Sequence, residues 1–157
     1  MAWALRRAAG EVRARSGRAA MESRLSRDPA VHAITDVTGF GILGHGLEMA
    51  KGAGLALRLG MGDLPFLAHA EALAEGGLAT GASTRNWASY GGDVLLPEGV
   101  SDWRVKLLTD PQTSGGLLVA VAPEAAEATL ARIRAAGYGR ASLVGEVTDG
   151  PVRVEVV

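Results

Sequence analysis

The sequence predicts an α/β (α+β) domain in which helices pack on one mixed β-sheet. Three observations lead there. Short apolar runs rich in Val and Leu alternate with longer stretches of helical period, so strand and helix signals interleave along the chain. Hydrophobic residues are 48% of 157, enough for one sizeable core. Glycine is frequent, at 22 residues, and gathers in the segments between these runs. There it permits close approach of backbone to backbone or to a ligand.

The elements follow in order. Residues 1–30 form an Arg/Ala-rich lead-in carrying Arg6, Arg7, Arg13, Arg15, Arg18, Arg24 and Arg27 against Glu11, Glu22 and Asp28. Its composition predicts one or two amphipathic helices. Residues 31–157 form the domain proper. Val31 to Val37 reads as a strand, Thr38-Gly39-Phe40-Gly41 as a tight turn, and Ile42 to Ala50 as a helix stopped by Gly52 or Gly54. Leu55 to Leu59 is a strand. Pro65 suits the first turn of a helix running to about Glu75. Leu78 to Gly92 is polar and turn-rich, and is expected as a long loop with a task of its own. Ser101 caps a short helix through Leu108. Leu117 to Val121 is a buried strand, and Pro123 opens a helix to Ala136. Arg140 to Val147 and Val152 to Val157 are strands, joined by a hairpin at Asp149-Gly150.

Composition narrows the function. The net charge is −1, which gives no basic footprint for nucleic acid. No apolar run approaches the ~18 residues a membrane span needs. There is no cysteine, hence no disulfide, thiolate metal site or thiol nucleophile within this sequence.

Two loops carry the chemistry. The first is Thr35-Asp36-Val37-Thr38-Gly39-Phe40-Gly41-Ile42-Leu43-Gly44-His45. Asp36 ends a strand ahead of a glycine turn and a helix start, where a carboxylate can hold a hard cation such as Mg²⁺. The same residue can equally cap the turn, with Thr38 assisting. Thr38, Gly39 and Gly41 can present N–H groups to a phosphate, or can simply make the turn. His45 lies nearby and fits a buried histidine bonded to backbone. The second loop is Thr109-Asp110-Pro111-Gln112-Thr113-Ser114-Gly115-Gly116, between apolar runs. Asp110, Thr113, Ser114 and Gly115 suit an anion-binding nest, or a turn that satisfies its own backbone. Ser114 has no His–Asp relay nearby in the sequence, so it is not read as a nucleophile. Arg85 and Asn86, in the expected long loop, are possible anion contacts.

Together these strings resemble selenophosphate synthetase (selenide, water dikinase), in its carboxyl-terminal half, within the aminoimidazole ribonucleotide synthetase-like superfamily. The resemblance runs from about residue 31 to 157. It implies the fold of that domain and a reaction that converts ATP, selenide and water to selenophosphate, AMP and phosphate. It further implies that Asp36 supplies a Mg²⁺ ligand, with Thr38, Gly39 and Gly41 lining the cleft and the Asp110–Gly116 loop beside it. The family's nucleophile, glycine-rich nucleotide segment and most metal-binding aspartates belong to an amino-terminal half not found in these residues. No catalytic residue is therefore assigned here, and the chain alone is expected to be inactive. The implied partner is that amino-terminal half or a second copy of the chain. The implied cofactors are Mg²⁺ and ATP, in the cytoplasm, without nucleic acid or membrane. The alternatives are a non-catalytic module that binds a partner or a phosphate, or an orphan fragment.

Overall fold

The computed structural model describes residues 2–4, 19–113 and 115–157. The strands are β1 (Ala2–Ala4), β2 (Val31–Asp36), β3 (Ala56–Leu59), β4 (Val94–Leu95), β5 (Leu117–Val121), β6 (Ser142–Thr148) and β7 (Val154–Val156). They form a mixed sheet in the order β2-β5-β1-β6-β3-β7-β4. The helices are α1 (19–25), α2 (Gly41–Ala53), α3 (Ala70–Glu75), α4 (Gly81–Tyr90), α5 (Asp102–Leu108) and α6 (Ala126–Ala135). This is the expected fold class.

β5 explains the two-sided packing. Its run Leu-Leu-Val-Ala-Val is buried at every position. Because strand side chains alternate, Leu118 enters one core and Leu117, Val119 and Val121 enter the other. The first core joins α2 to β3 and β7 through Leu43, Leu47, Leu57, Leu59, Val154 and Val156. The second joins α1 and α6 to the opposite face through Met21, Leu25, Leu130 and Ile133. Leu43, Leu57, Leu59 and Ile133 are fully buried, each contributing about 1.5–3 kcal/mol of transfer free energy. Beyond the second core the sheet is solvated. There Arg58 faces its register partners Glu146 at 3.0 Å and Glu155 at 3.8 Å.

The structure corrects four local expectations. Ala2–Ala4 is a strand, not part of a helical lead-in, and it pairs antiparallel with both β5 and β6. Pairing two open strand edges outweighs a weak helix propensity. The helical expectation over 5–18 lies outside the described residues. Second, β6 and β7 form no hairpin: β3 lies between them, antiparallel to β6 and parallel to β7. The chain turns at Gly150, where φ is 152°, but residues 151–153 carry it past β3, and Leu57 N–H bonds Arg153 C=O at 3.0 Å.

Third, α3 starts at Ala70 rather than near Pro65. Leu64 is extended and His69 is left-handed, with φ 66°, so no helix can pass through either. Fourth, most of residues 78–92 is α4, not loop. Its sequence is poor in helix formers, but the Thr80 side chain caps it by accepting the Ser83 N–H at 3.3 Å. Ser83, Trp87 and Tyr90 then recur at helical spacing on the inward side.

Gly145 shows how closely β6 and β3 run. A Cβ there would stand 1.9 Å from the Arg58 carbonyl oxygen. Gly145→Ala is therefore expected to destabilise the chain by about 3 kcal/mol, read as a lower midpoint in urea unfolding.

Candidate functional site

The two glycine loops meet at the carboxyl end of β2. The β2–β5 ladder continues one residue beyond Asp36, where Val37 N–H bonds Gly116 C=O at 2.8 Å. Gln112 N–H then bonds Thr38 C=O at 2.9 Å. Two glycines make this approach possible. A Cβ on Gly115 would lie 1.8 Å from the Val37 carbonyl oxygen, and one on Gly41 2.7 Å from that of Leu108. Gly41 also takes φ 67°, which a side chain would strain.

Asn86 and Asp110 tie α4 to these loops. Asn86 Nδ2 donates to the carbonyls of Gly39 and Thr109, both at 2.9 Å. Asp110 Oδ1 accepts from the Thr80 hydroxyl at 3.0 Å and from the fully buried Ser83 hydroxyl at 2.9 Å. Asn86 thus serves as a tie on a helix rather than as a free loop contact. Arg85, beside it, is exposed and makes no ion pair among the described residues.

Asp36 and Gly39 stand apart. The exposed Asp36 carboxylate has no hydrogen bond or ion pair among the described residues. Gly39 has no φ that demands glycine, and a Cβ there would meet no atom within 4 Å. Thr113 is exposed, and Ser114 lies outside the described residues. The first turn of α2 has neither a side-chain cap nor an acidic residue. Gly41 N–H bonds Thr38 C=O at 3.2 Å and Gly44 N–H bonds Phe40 C=O at 3.3 Å, which leaves the Ile42 and Leu43 amides without an acceptor among the described residues. A cleft of about 190 Å³ runs alongside, lined by Val37, Ile42, Phe66 and Leu107 with Asp110 and Gln112 as polar groups.

A side-chain chain unread in the sequence also ends here. Thr38 Oγ1 lies 3.1 Å from His45 Nε2, and His45 Nδ1 lies 2.8 Å from Glu48 Oε2. His45 is buried among side-chain rather than backbone partners. The i, i+3 spacing of His45 and Glu48 on a helix was the available signal. Tyr90, expected in the long loop, instead ends α4 and donates its hydroxyl to the Phe40 carbonyl at 2.5 Å.

Mg²⁺ and a nucleotide can be tested against these groups. An unpaired carboxylate at a strand end is the oxygen donor a hard cation takes. A gap with no Cβ beside uncapped helix amides is the space a phosphate takes. No group of three or more His, Cys, Asp or Glu side chains gathers among the described residues. The residues therefore fit one part of such a site and leave the remaining cation ligands to be supplied from elsewhere.

Mixed sheet, two-sided core and interlocked glycine loops define an α/β domain of the aminoimidazole ribonucleotide synthetase type. The family model described as "AIR synthase related protein, C-terminal domain" matches residues 7–157, and the chain belongs to that family. It is 57% identical over 133 residues to the selenide, water dikinase of Rhizobium meliloti (strain 1021), covering 85% of this chain and 38% of that protein. Against the selenide, water dikinase of Burkholderia pseudomallei (strain K96243) it is 59% identical over 128 residues, covering 82% and 36%. The chain thus spans little more than a third of the length of these relatives. Among solved structures, HypE of E. coli superposes with TM-score 0.62 at 22% identity, over 87% of this chain and 34% of that one. A chain of a HypE–HypF complex gives 0.62 at 19%, over 88% and 37%. These two share the fold. No helix among the described residues is long and apolar enough to cross a membrane.

Two outcomes test this geometry. Asn86→Ala removes two hydrogen bonds and should cost about 1–3 kcal/mol in urea unfolding. Asn86→Asp should cost more, since it sets a carboxylate against two carbonyl oxygens. Burial pushes the Tyr90 phenol from 10.0 up to about 12, although the Gly44 N–H, which favours the phenolate, opposes the rise. Stability held by neutral Tyr90 is thus fully present below pH 10 and lost as pH rises through about 12. Tyrosinate absorbance should show that late step in the wild type and not in Tyr90→Phe.

Proposed function

We propose that this chain forms the carboxyl-terminal part of a selenide, water dikinase, which makes selenophosphate from selenide, ATP and water. The observation that carries the reading is the free Asp36 carboxylate beside the open space at Gly39, in a chain 57–59% identical to such enzymes. Asp36 would hold Mg²⁺. The Thr38–Gly41 backbone and the first turn of α2 would face phosphate oxygens, with Thr113 and Arg85 at the rim. Bound Mg²⁺ would neutralise charge on the transferring phosphoryl group. Asp110 and Asn86 would keep the second loop in place.

The sequence has no cysteine, so no thiol here can carry selenium. In this reading the nucleophile and the remaining cation ligands lie outside these 157 residues, on the same polypeptide or on a partner, and these residues alone turn nothing over. A cytoplasmic setting follows from the reading, because the product would feed selenocysteine and selenium-modified tRNA.

The test supplies the missing part. The chain is co-expressed with the amino-terminal part of the Rhizobium meliloti selenide, water dikinase, and selenide-dependent AMP release is measured. Activity is expected from the pair and from neither part alone, falling about 100-fold with Asp36→Ala. Gly39→Ala should leave stability within about 1 kcal/mol of wild type yet raise KM for ATP. Activity unchanged by Asp36→Ala would defeat the assignment.

A further inference from the structure

Glu48, His45 and Thr38 form a line from solvent to the loop at the end of β2. Glu48 is 58% exposed at its side chain, His45 is 7% exposed as a residue, and Thr38 is half-buried. Hydrogen-bonding capacity sets the direction of the line. An ionised carboxylate only accepts, so Glu48 draws the ring proton to His45 Nδ1. In the neutral imidazole the other nitrogen, Nε2, is then an acceptor. A hydroxyl has one proton, and opposite that tautomer Thr38 Oγ1, 3.1 Å away, would give it to Nε2. What remains on that oxygen is lone pairs.

An oxygen that can only accept is a poor partner for phosphate, whose oxygens also accept. It suits a cation or a cation's water. Thr38 stands two residues from Asp36, and the β2 pairing runs on through Val37 between them. This is the spacing that puts alternate side chains on one side of an extended chain.

We propose that Glu48 and His45 are positioning residues that commit the Thr38 hydroxyl proton to the imidazole, so that Thr38 Oγ1 joins Asp36 as an oxygen donor to a divalent cation. The inference rests on the assignment of Asp36 as a cation ligand and adds to it a second donor and the pair that orients it. An outward-facing ring partner of this kind is what fixes ligand geometry in many metal sites.

The test uses the 157-residue chain labelled with ¹⁵N and titrated with Mn²⁺. Long-range ¹⁵N–¹H spectra should show His45 with a proton-bearing Nδ1 and a bare Nε2. Mn²⁺ should broaden the Asp36 and Thr38 signals first. Thr38→Val should weaken Mn²⁺ about tenfold, Thr38→Ser should keep wild-type affinity, and Glu48→Ala should weaken it in the same direction while shifting the His45 tautomer. Circular dichroism confirms that each variant is folded. A proton on His45 Nε2 in the wild type overturns the proposal. So does wild-type affinity in Thr38→Val; if Asp36→Asn still weakens Mn²⁺, the Asp36 assignment survives alone. Wild-type affinity in Asp36→Asn as well removes both.

Discussion

Everything at this site depends on the direct seating of one loop backbone on another. Gly115 lies against the Val37 carbonyl and Gly41 against the Leu108–Thr109 backbone, at separations that no Cβ could share. The contact is a steric condition before it is an energetic one. Only after it is met can Val37 reach Gly116, Gln112 reach Thr38, and Asn86 reach both Gly39 and Thr109. Each of those bonds is worth about 1 kcal/mol. Their shared effect is larger, since all of them fix the position of the short segment after Asp36.

The rest of the fold holds the two loops at that separation. β2 and β5 run antiparallel with Asp36 opposite Leu117, so one loop leaves the sheet where the other enters it. β5 is buried on both faces and cannot slip by one residue without exchanging Leu118 with Leu117 and Val119 between two cores. α2 starts at Gly41 and is anchored by Leu43, Leu47 and Ala50. The glycine turn is therefore fixed at its strand end by register and at its helix end by packing. α4 closes the remaining side, with Tyr90 on the Phe40 carbonyl and Asn86 beneath the turn.

The sequence showed most of the parts and few of the connections. β5 was legible because a continuous apolar run has one simple reading. The two loops were legible because their polar and glycine residues are dense and lie next to apolar runs. α4 was hidden because Gly81, Ser83, Thr84 and Asn86 have poor or ordinary helix propensity, and its stability comes from the Thr80 cap and from packing. The β6–β7 hairpin was misread because Asp149-Gly150 does turn the chain, while the strand that fills the gap, β3, lies about ninety residues earlier. β1 was missed because three residues carry no period, and only its two neighbours in the sheet select it. The bond from Thr38 to His45 spans seven residues and a change of element, so no local pattern announces it.

Removing the groups whose capacity is already used separates scaffold from site more sharply than residue type does. Asp110 and Asn86 are the kinds of residue that bind ligands, yet Asp110 accepts two hydroxyls and Asn86 donates to two carbonyls. Ligand contact at either would first have to break these bonds and leave the buried Ser83 hydroxyl or a loop carbonyl without its partner, at about 1–3 kcal/mol each. Asp36 meets no such cost, nor do the Ile42 and Leu43 amides of α2 or the empty side of Gly39. In the proposed function, one unpaired carboxylate, the Ile42 and Leu43 amides and a gap would suit a cation bridged to phosphate. A free cation would be repelled by the N–H dipoles, and a free phosphate by Asp36. The proposed Mg²⁺-bound phosphate carries both charges and would satisfy both sides.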